Sequence, residues 1–88
     1  MSKQTFFIFV RTDLGKTYDV GMRVLKEVSG VREVSSISGK WDLLVKLEID
    51  TREDVGKLIN AQLAAIPGIR KTKTTVAYFV YDPEDVFF

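Results

Sequence analysis

The residues best placed to bind something lie in one short stretch, Ser38-Gly39-Lys40-Trp41-Asp42. A glycine lets the chain turn, an indole offers an apolar wall, and a carboxylate near a sheet corner can receive a cationic group. The chemistry to expect there is the holding of a small polar molecule, without bond making. The chain has no histidine and no cysteine. That removes the commonest general base, thiol chemistry, disulfides and the usual zinc and haem ligands. Asp, Glu, Lys and Tyr remain, and no pair of them has the spacing of a catalytic couple. No metal and no cofactor is expected. Asp42 also has a plainer reading: an Asp after a turn often accepts backbone hydrogen bonds and binds nothing.

The turn feeds the clearest strand in the sequence. Trp41, Leu43, Val45, Leu47 and Ile49 alternate with Asp42, Leu44, Lys46 and Glu48, the period of a half-buried strand. On this pattern Trp41 heads the apolar face, as core or interface. The residues before the turn, Val31 to Ser38, form a less apolar strand, and Gly39-Lys40 closes an antiparallel hairpin.

The rest of the chain repeats this logic. Thr5 to Arg11 is dense in aromatic and β-branched residues and predicts a strand buried on both faces. Thr12-Asp13-Leu14-Gly15 ends it as a turn cluster. From Lys16 the spacing is helical, with Tyr18, Gly21/Met22, Leu25 and Val28 as the predicted buried stripe and Ser29-Gly30 as the stop. Gly21 inside that helix predicts a close helix–sheet approach. A second helix starts near Asp50 to Asp54, where Asp50 with Glu53 or Thr51 with Asp54 can form a capping box. Its stripe is Val55, Leu58/Ile59, Gln62/Leu63 and Ile66, ended by Pro67-Gly68. Ile69 to Tyr81 predicts a long last strand, on which Lys71 and Lys73 blunt an edge. Asp82-Pro83-Glu84-Asp85 breaks it before Val86-Phe87-Phe88.

Eighty-eight residues, 45% apolar and 28% charged, suit one globular domain with a single small core. The net charge is +1 with both signs interspersed, which argues against a nucleic-acid-binding face. No apolar run approaches the roughly 20 residues of a membrane span, and Phe6 to Val10 is too short for a signal peptide. A cytoplasmic protein is expected.

Leu25-Lys26-Glu27-Val28-Ser29-Gly30-Val31-Arg32 matches Leu63-Ala64-Ala65-Ile66-Pro67-Gly68-Ile69-Arg70, 38 residues later. Each copy is a helix end, a glycine stop and a strand start. The chain is thus strand–helix–strand twice, an α+β ferredoxin-like βαββαβ sandwich. It has an antiparallel four-stranded sheet and both helices on one face. The predicted domain runs 5–81, between tails 1–4 and 82–88. The bare face, with aromatics from Phe6 to Phe9 and Tyr78 to Tyr81, costs about 25 cal/mol per Å² of apolar area left in water. A second copy packed on it, as a dimeric α+β barrel, is the expected cover. RNA stacking would need basic and aromatic signatures that the third strand lacks.

These features together resemble the effector-binding domain of the Lrp/AsnC (leucine-responsive and asparagine-regulator) transcription factors, over about residues 5 to 81. The residues that carry the resemblance are the Gly39-Lys40-Trp41-Asp42 turn, the alternating aliphatics after it, Pro67-Gly68-Ile69 and the Thr-rich last strand. The resemblance implies an amino-acid sensor whose dimers assemble into tetramers, octamers or larger rings, with the ligand held between dimers. It places Gly39, Trp41 and Asp42 on one wall of the pocket. Thr72, Thr74 and Val76 come from the neighbouring dimer; read as residues alone, these are ordinary strand positions. An α-amino group suits Asp42, and hydroxyls or backbone N–H groups suit an α-carboxylate.

Nothing here matches the helix-turn-helix that full-length regulators carry, so an effector domain that does not itself bind DNA is expected. Two other classes compete: a module that joins full-length paralogues without a ligand, and a cofactor-free enzyme on the same dimeric fold. The tail residues Phe87 and Phe88 are expected to dock on a neighbour.

Overall fold

Alternation in the first strand is sharper than its composition suggests, and it sets the layers. The computed structural model describes residues 2–86. Strand β1, Lys3–Thr12, lies between β3, Leu43–Asp50, and β4, Ile69–Ala77, while β2, Val31–Ser36, pairs with the far side of β3. All neighbours are antiparallel, in the order β2-β3-β1-β4. Phe6 stands opposite Leu47 and Val76, Ile8 opposite Val45 and Thr74, and Val10 opposite Leu43 and Thr72. Paired residues share a face, so these form the inner face, and Phe6, Ile8 and Val10 are buried. Each fully buried aliphatic contributes roughly 1.5–3 kcal/mol. The expectation of burial on both faces of β1 fails: Phe7 and Phe9, on the other face, are half-buried. The open face is therefore carried by Phe7 and Phe9, not by Phe6.

Helix α1, Thr17–Glu27, covers the inner face with a different stripe from the expected one. Val20, Val24 and Val28 are buried, whereas Tyr18, Met22 and Leu25 are 77%, 38% and 49% exposed. The helix carries two apolar rows, and tertiary anchoring chooses between them. Gly68 packs so tightly on Val20 that a Cβ there would sit 2.9 Å from Val20 Cγ2. That contact holds the valine row inward. Gly21 faces the sheet, but a Cβ on it would meet Leu43 at 3.6 Å, an ordinary contact, so no close approach requires it.

Helix α2, Val55–Leu58, is capped by Asp54, whose Oδ1 accepts from Lys57 N–H at 3.1 Å. Neither predicted capping box forms; Asp50 instead binds Arg52. The helix widens into one π turn, Ile59–Leu63, with Ala64 N–H donating to the Ile59 carbonyl at 2.8 Å. The extra residue keeps Leu58, Ile59, Leu63 and Ile66 all buried. Both crossovers end on glycines of positive φ, Gly30 at 83° and Gly68 at 99°, as the 38-residue repeat predicts.

Strand β4 stops at Ala77, four residues short of the expected Tyr81. Its partner β1 is running out there: Thr5 faces Ala77, and Gln4 Nε2 donates to the Ala77 carbonyl at 2.7 Å. Beyond it Tyr78, Phe79, Val80 and Tyr81 are exposed, so they do not belong to the sheet face. A 3₁₀ turn, Pro83–Val86, follows. The predicted docking of Phe87 and Phe88 falls outside the described residues. No helix among the described residues is long and apolar enough to cross a membrane.

Candidate functional site

The link from β2 to β3, residues 37–42, closes with Ile37 N–H donating to the Asp42 carbonyl at 3.0 Å. Gly39 turns it at φ 99° and is exposed, and a Cβ there would meet nothing within 4 Å. It serves the turn, and no backbone approaches it. Asp42 N–H donates to the Val10 carbonyl at 2.9 Å, which ties the turn to the end of β1.

Here the alternation breaks. Extrapolated from β3, Trp41 would point inward and Asp42 outward. Instead the Trp41 ring packs on Phe9, centroids 6.1 Å apart and planes at 47°, and Phe9 is on the open face. Asp42 reaches the other way. Its Oδ2 accepts from Thr12 N–H at 2.8 Å and from Thr12 Oγ1 at 3.2 Å. Thr12 is buried and lies on the inner face. Trp41 thus belongs to the open face, not at the head of the core.

Around Asp42 is a cleft of about 220 Å³ whose walls include Arg11, Thr12, Leu14, Thr17 and Arg70. Thr12 Oγ1 and Thr17 Oγ1 lie 2.8 Å apart. A hydroxyl has one proton; with that of Thr12 directed to Asp42, Thr17 is the donor between them. Arg70 reaches Asp13 at 3.7 Å, and Arg11 makes no ion pair among the described residues. The volume is below the roughly 300–1,000 Å³ of drug-sized sites. Asp13 also lines the cleft and is the partner of Arg70, which leaves the Asp42 carboxylate, the Arg11 guanidinium and two hydroxyls to meet a small zwitterion: ammonium to Asp42, carboxylate to Arg11.

The predicted site residues separate into two sets. Asp42 lines the cleft, with Gly39 and Trp41 on the turn beside it. Thr72, Thr74 and Val76 project from β4 on the inner-face side, Thr72 half-buried and the other two exposed. The cleft around Asp42 does not include them. Sequence reasoning missed Arg11, Thr12, Thr17 and Arg70. The available signal was a pair of threonines bracketing the Asp13-Leu14-Gly15 turn, read only as a strand end. A larger concavity lies elsewhere, about 770 Å³ beside α1 and Pro67-Gly68.

Residues 5–86 match the Lrp/AsnC ligand-binding domain. This chain belongs to the Lrp/AsnC family. It is 32% identical over 82 residues to an uncharacterised HTH-type transcriptional regulator of Pyrococcus furiosus, covering 91% of this chain and 55% of that protein. A Pyrococcus abyssi regulator of the same description is 36% identical over 76 residues, covering 84% and 51%. The chain spans about half the length of these relatives. A crystal structure of a hypothetical protein from Pyrococcus horikoshii superposes with TM-score 0.77 at 32% identity, covering 89% of this chain and 93% of that one. Escherichia coli AsnC shares the fold, with TM-score 0.74 at 18% identity over 91% of this chain and 52% of that one. The family match is to a ligand-binding domain, and these relatives are described as transcriptional regulators, not as enzymes. A 49-residue segment is also 37% identical to part of a homocitrate synthase of Sulfolobus acidocaldarius, 56% of this chain but 10% of that enzyme.

Proposed function

We propose that this Lrp/AsnC domain senses a free amino acid and converts its binding into a change of assembly state, in the cytoplasm and without binding nucleic acid itself. The observation that carries the reading is the cleft that Asp42 shares with Arg11, opposite charges beside the Arg70–Asp13 pair around a volume suited to a zwitterion. Asp42 takes the α-amino group through the carboxylate oxygen that Thr12 leaves free. Arg11, which makes no ion pair among the described residues, takes the α-carboxylate. Gly39 and Trp41 shape the turn, and Thr72, Thr74 and Val76 of a neighbouring subunit cover the ligand.

Assembly follows from two features. Phe7, Phe9, Trp41 and Leu44 are only half-buried in one chain, and a second copy packed on this open face would bury them as a twofold dimer. A ligand touched by two dimers then tightens their contact by as much as that contact tightens the ligand, since linkage is reciprocal. Tetramers, octamers or larger rings, and mixed assemblies with full-length family members, are the expected products.

Isothermal titration against the twenty amino acids tests the reading. At least one should bind, and Asp42→Asn should weaken it by about 10- to 100-fold, the worth of a charge-assisted hydrogen bond. Absence of heat with all twenty, or an unaffected Asp42→Asn, would remove the proposal.

A further inference from the structure

The segment after β4 has no place in its own fold. Tyr78 is 94%, Tyr81 85%, Val86 70% and Phe79 65% exposed. Yet it has a defined shape. Phe79 and Tyr81 pack edge-to-face at 4.7 Å. Asp82 Oδ1 accepts from Glu84 N–H and the Asp82 carbonyl accepts from Asp85 N–H, both at 2.9 Å, setting the turn at Pro83. The Cα radius of gyration is 13.8 Å, above the roughly 12 Å of a compact chain this long. An ordered arm therefore carries aromatics followed by three acids, Asp82, Glu84 and Asp85.

The 770 Å³ cleft beside α1 has the complementary character. Its apolar wall is the unburied row of α1, Tyr18 and Met22. Around it stand Lys16, Arg23 and Lys26. Arg23 is held by Glu27 at 3.0 Å and the cleft's Asp13 by Arg70. Lys16 and Lys26 make no ion pair among the described residues, leaving them against Asp19 alone. The free charge of the cleft is positive.

We infer that the arm Tyr78–Val86 docks in this cleft on a second copy of the chain, its rings against Tyr18 and Met22 and its acids toward Lys16 and Lys26. In its own chain the arm lies outside the cleft: none of its residues is among the cleft's lining, and Tyr78, Phe79 and Tyr81 stay exposed. The contact is head-to-tail, and it closes into a ring only if its rotation allows. It is separate from the open-face dimer and from occupancy of the Asp42 cleft.

Charge exchange in the full chain tests the docking. Sedimentation velocity over a dilution series compares Lys16→Glu/Lys26→Glu, Asp82→Lys/Asp85→Lys and the two sets combined. Each set alone should weaken the larger assembly at least about tenfold, and the combination should restore it to within about threefold. Restoration cannot come from misfolding. An arm variant that assembles like the parent, a combination weaker than either set, or a parent with no species beyond a dimer overturns the inference. Cysteine pairing is an independent check, because the chain has none of its own. A mixture of Met22→Cys and Tyr81→Cys chains should form the mixed disulfide in excess over both self-pairs; self-pairs only, or none, would count against docking. An arm variant that still binds an amino acid leaves the effector reading intact.

Discussion

One oxygen of Asp42 receives both polar hydrogens of Thr12, the amide at 2.8 Å and the hydroxyl at 3.2 Å. The pair pins the β2–β3 turn to the end of β1 and is structural before any ligand arrives. Asp42→Ala leaves a buried donor without a partner and should cost about 1–3 kcal/mol. Asp42→Asn keeps an acceptor and should cost less. Urea unfolding of the two variants gives the order, and equal midpoints would contradict it.

The valine row of α1 should dominate its energetics. Val24 is fully buried, and Val24→Ala removes packing worth about 2 kcal/mol. Leu25→Ala, on the exposed row, should change stability by no more than about 0.5 kcal/mol in the unassembled chain. Thermal melts at low concentration separate the two.

Two glycines should respond in opposite directions. Gly21 lies in mid-helix with ordinary room for a methyl, so Gly21→Ala should stabilise by up to about 1 kcal/mol. At Gly30, φ is 83° and a Cβ would lie 2.6 Å from the Glu48 carbonyl oxygen. Gly30→Ala should destabilise by more than the roughly 1–2 kcal/mol of left-handed backbone alone. A raised melting temperature for Gly30→Ala would refute the contact.

Arg52 hydrogen-bonds to the Asp50 carboxylate through its side chain and its amide, and holds it below the usual carboxylate range. A lowered folded pKa stabilises above the unfolded value, about 3.9. That contribution is lost as pH falls from there through the lowered folded value. Arg52→Gln should leave the stability profile above pH 5 nearly unchanged in slope and flatten it below pH 4. NMR titration of the Asp50 carboxylate should show its midpoint move up in the variant.

The layer architecture was legible because it rests on period and punctuation. Leu43, Val45, Leu47 and Ile49 recur at every second position, and the Gly30 and Gly68 stops repeat at 38 residues. What was illegible depends on neighbours distant in sequence. Periodicity could not rank two apolar rows on α1, since the choice is made by Gly68 pressing on Val20. The length of β4 is set by where β1 ends, not by its own Tyr78 to Tyr81. The candidate site was half legible: Asp42 stands out by its turn, but Thr12 meets it only where β1 ends beside β3, and Thr17 joins through Thr12 from the start of α1.

Trp41 and Asp42 are consecutive residues that face opposite sides of the sheet. Under the proposed function the indole lies on the surface a dimer partner would cover and the carboxylate in the cleft an effector would fill, so only one peptide plane separates the two. A tilt of that plane moves both at once. The signal need not cross the domain, and the chain's single tryptophan is an optical reporter at the point where it would originate.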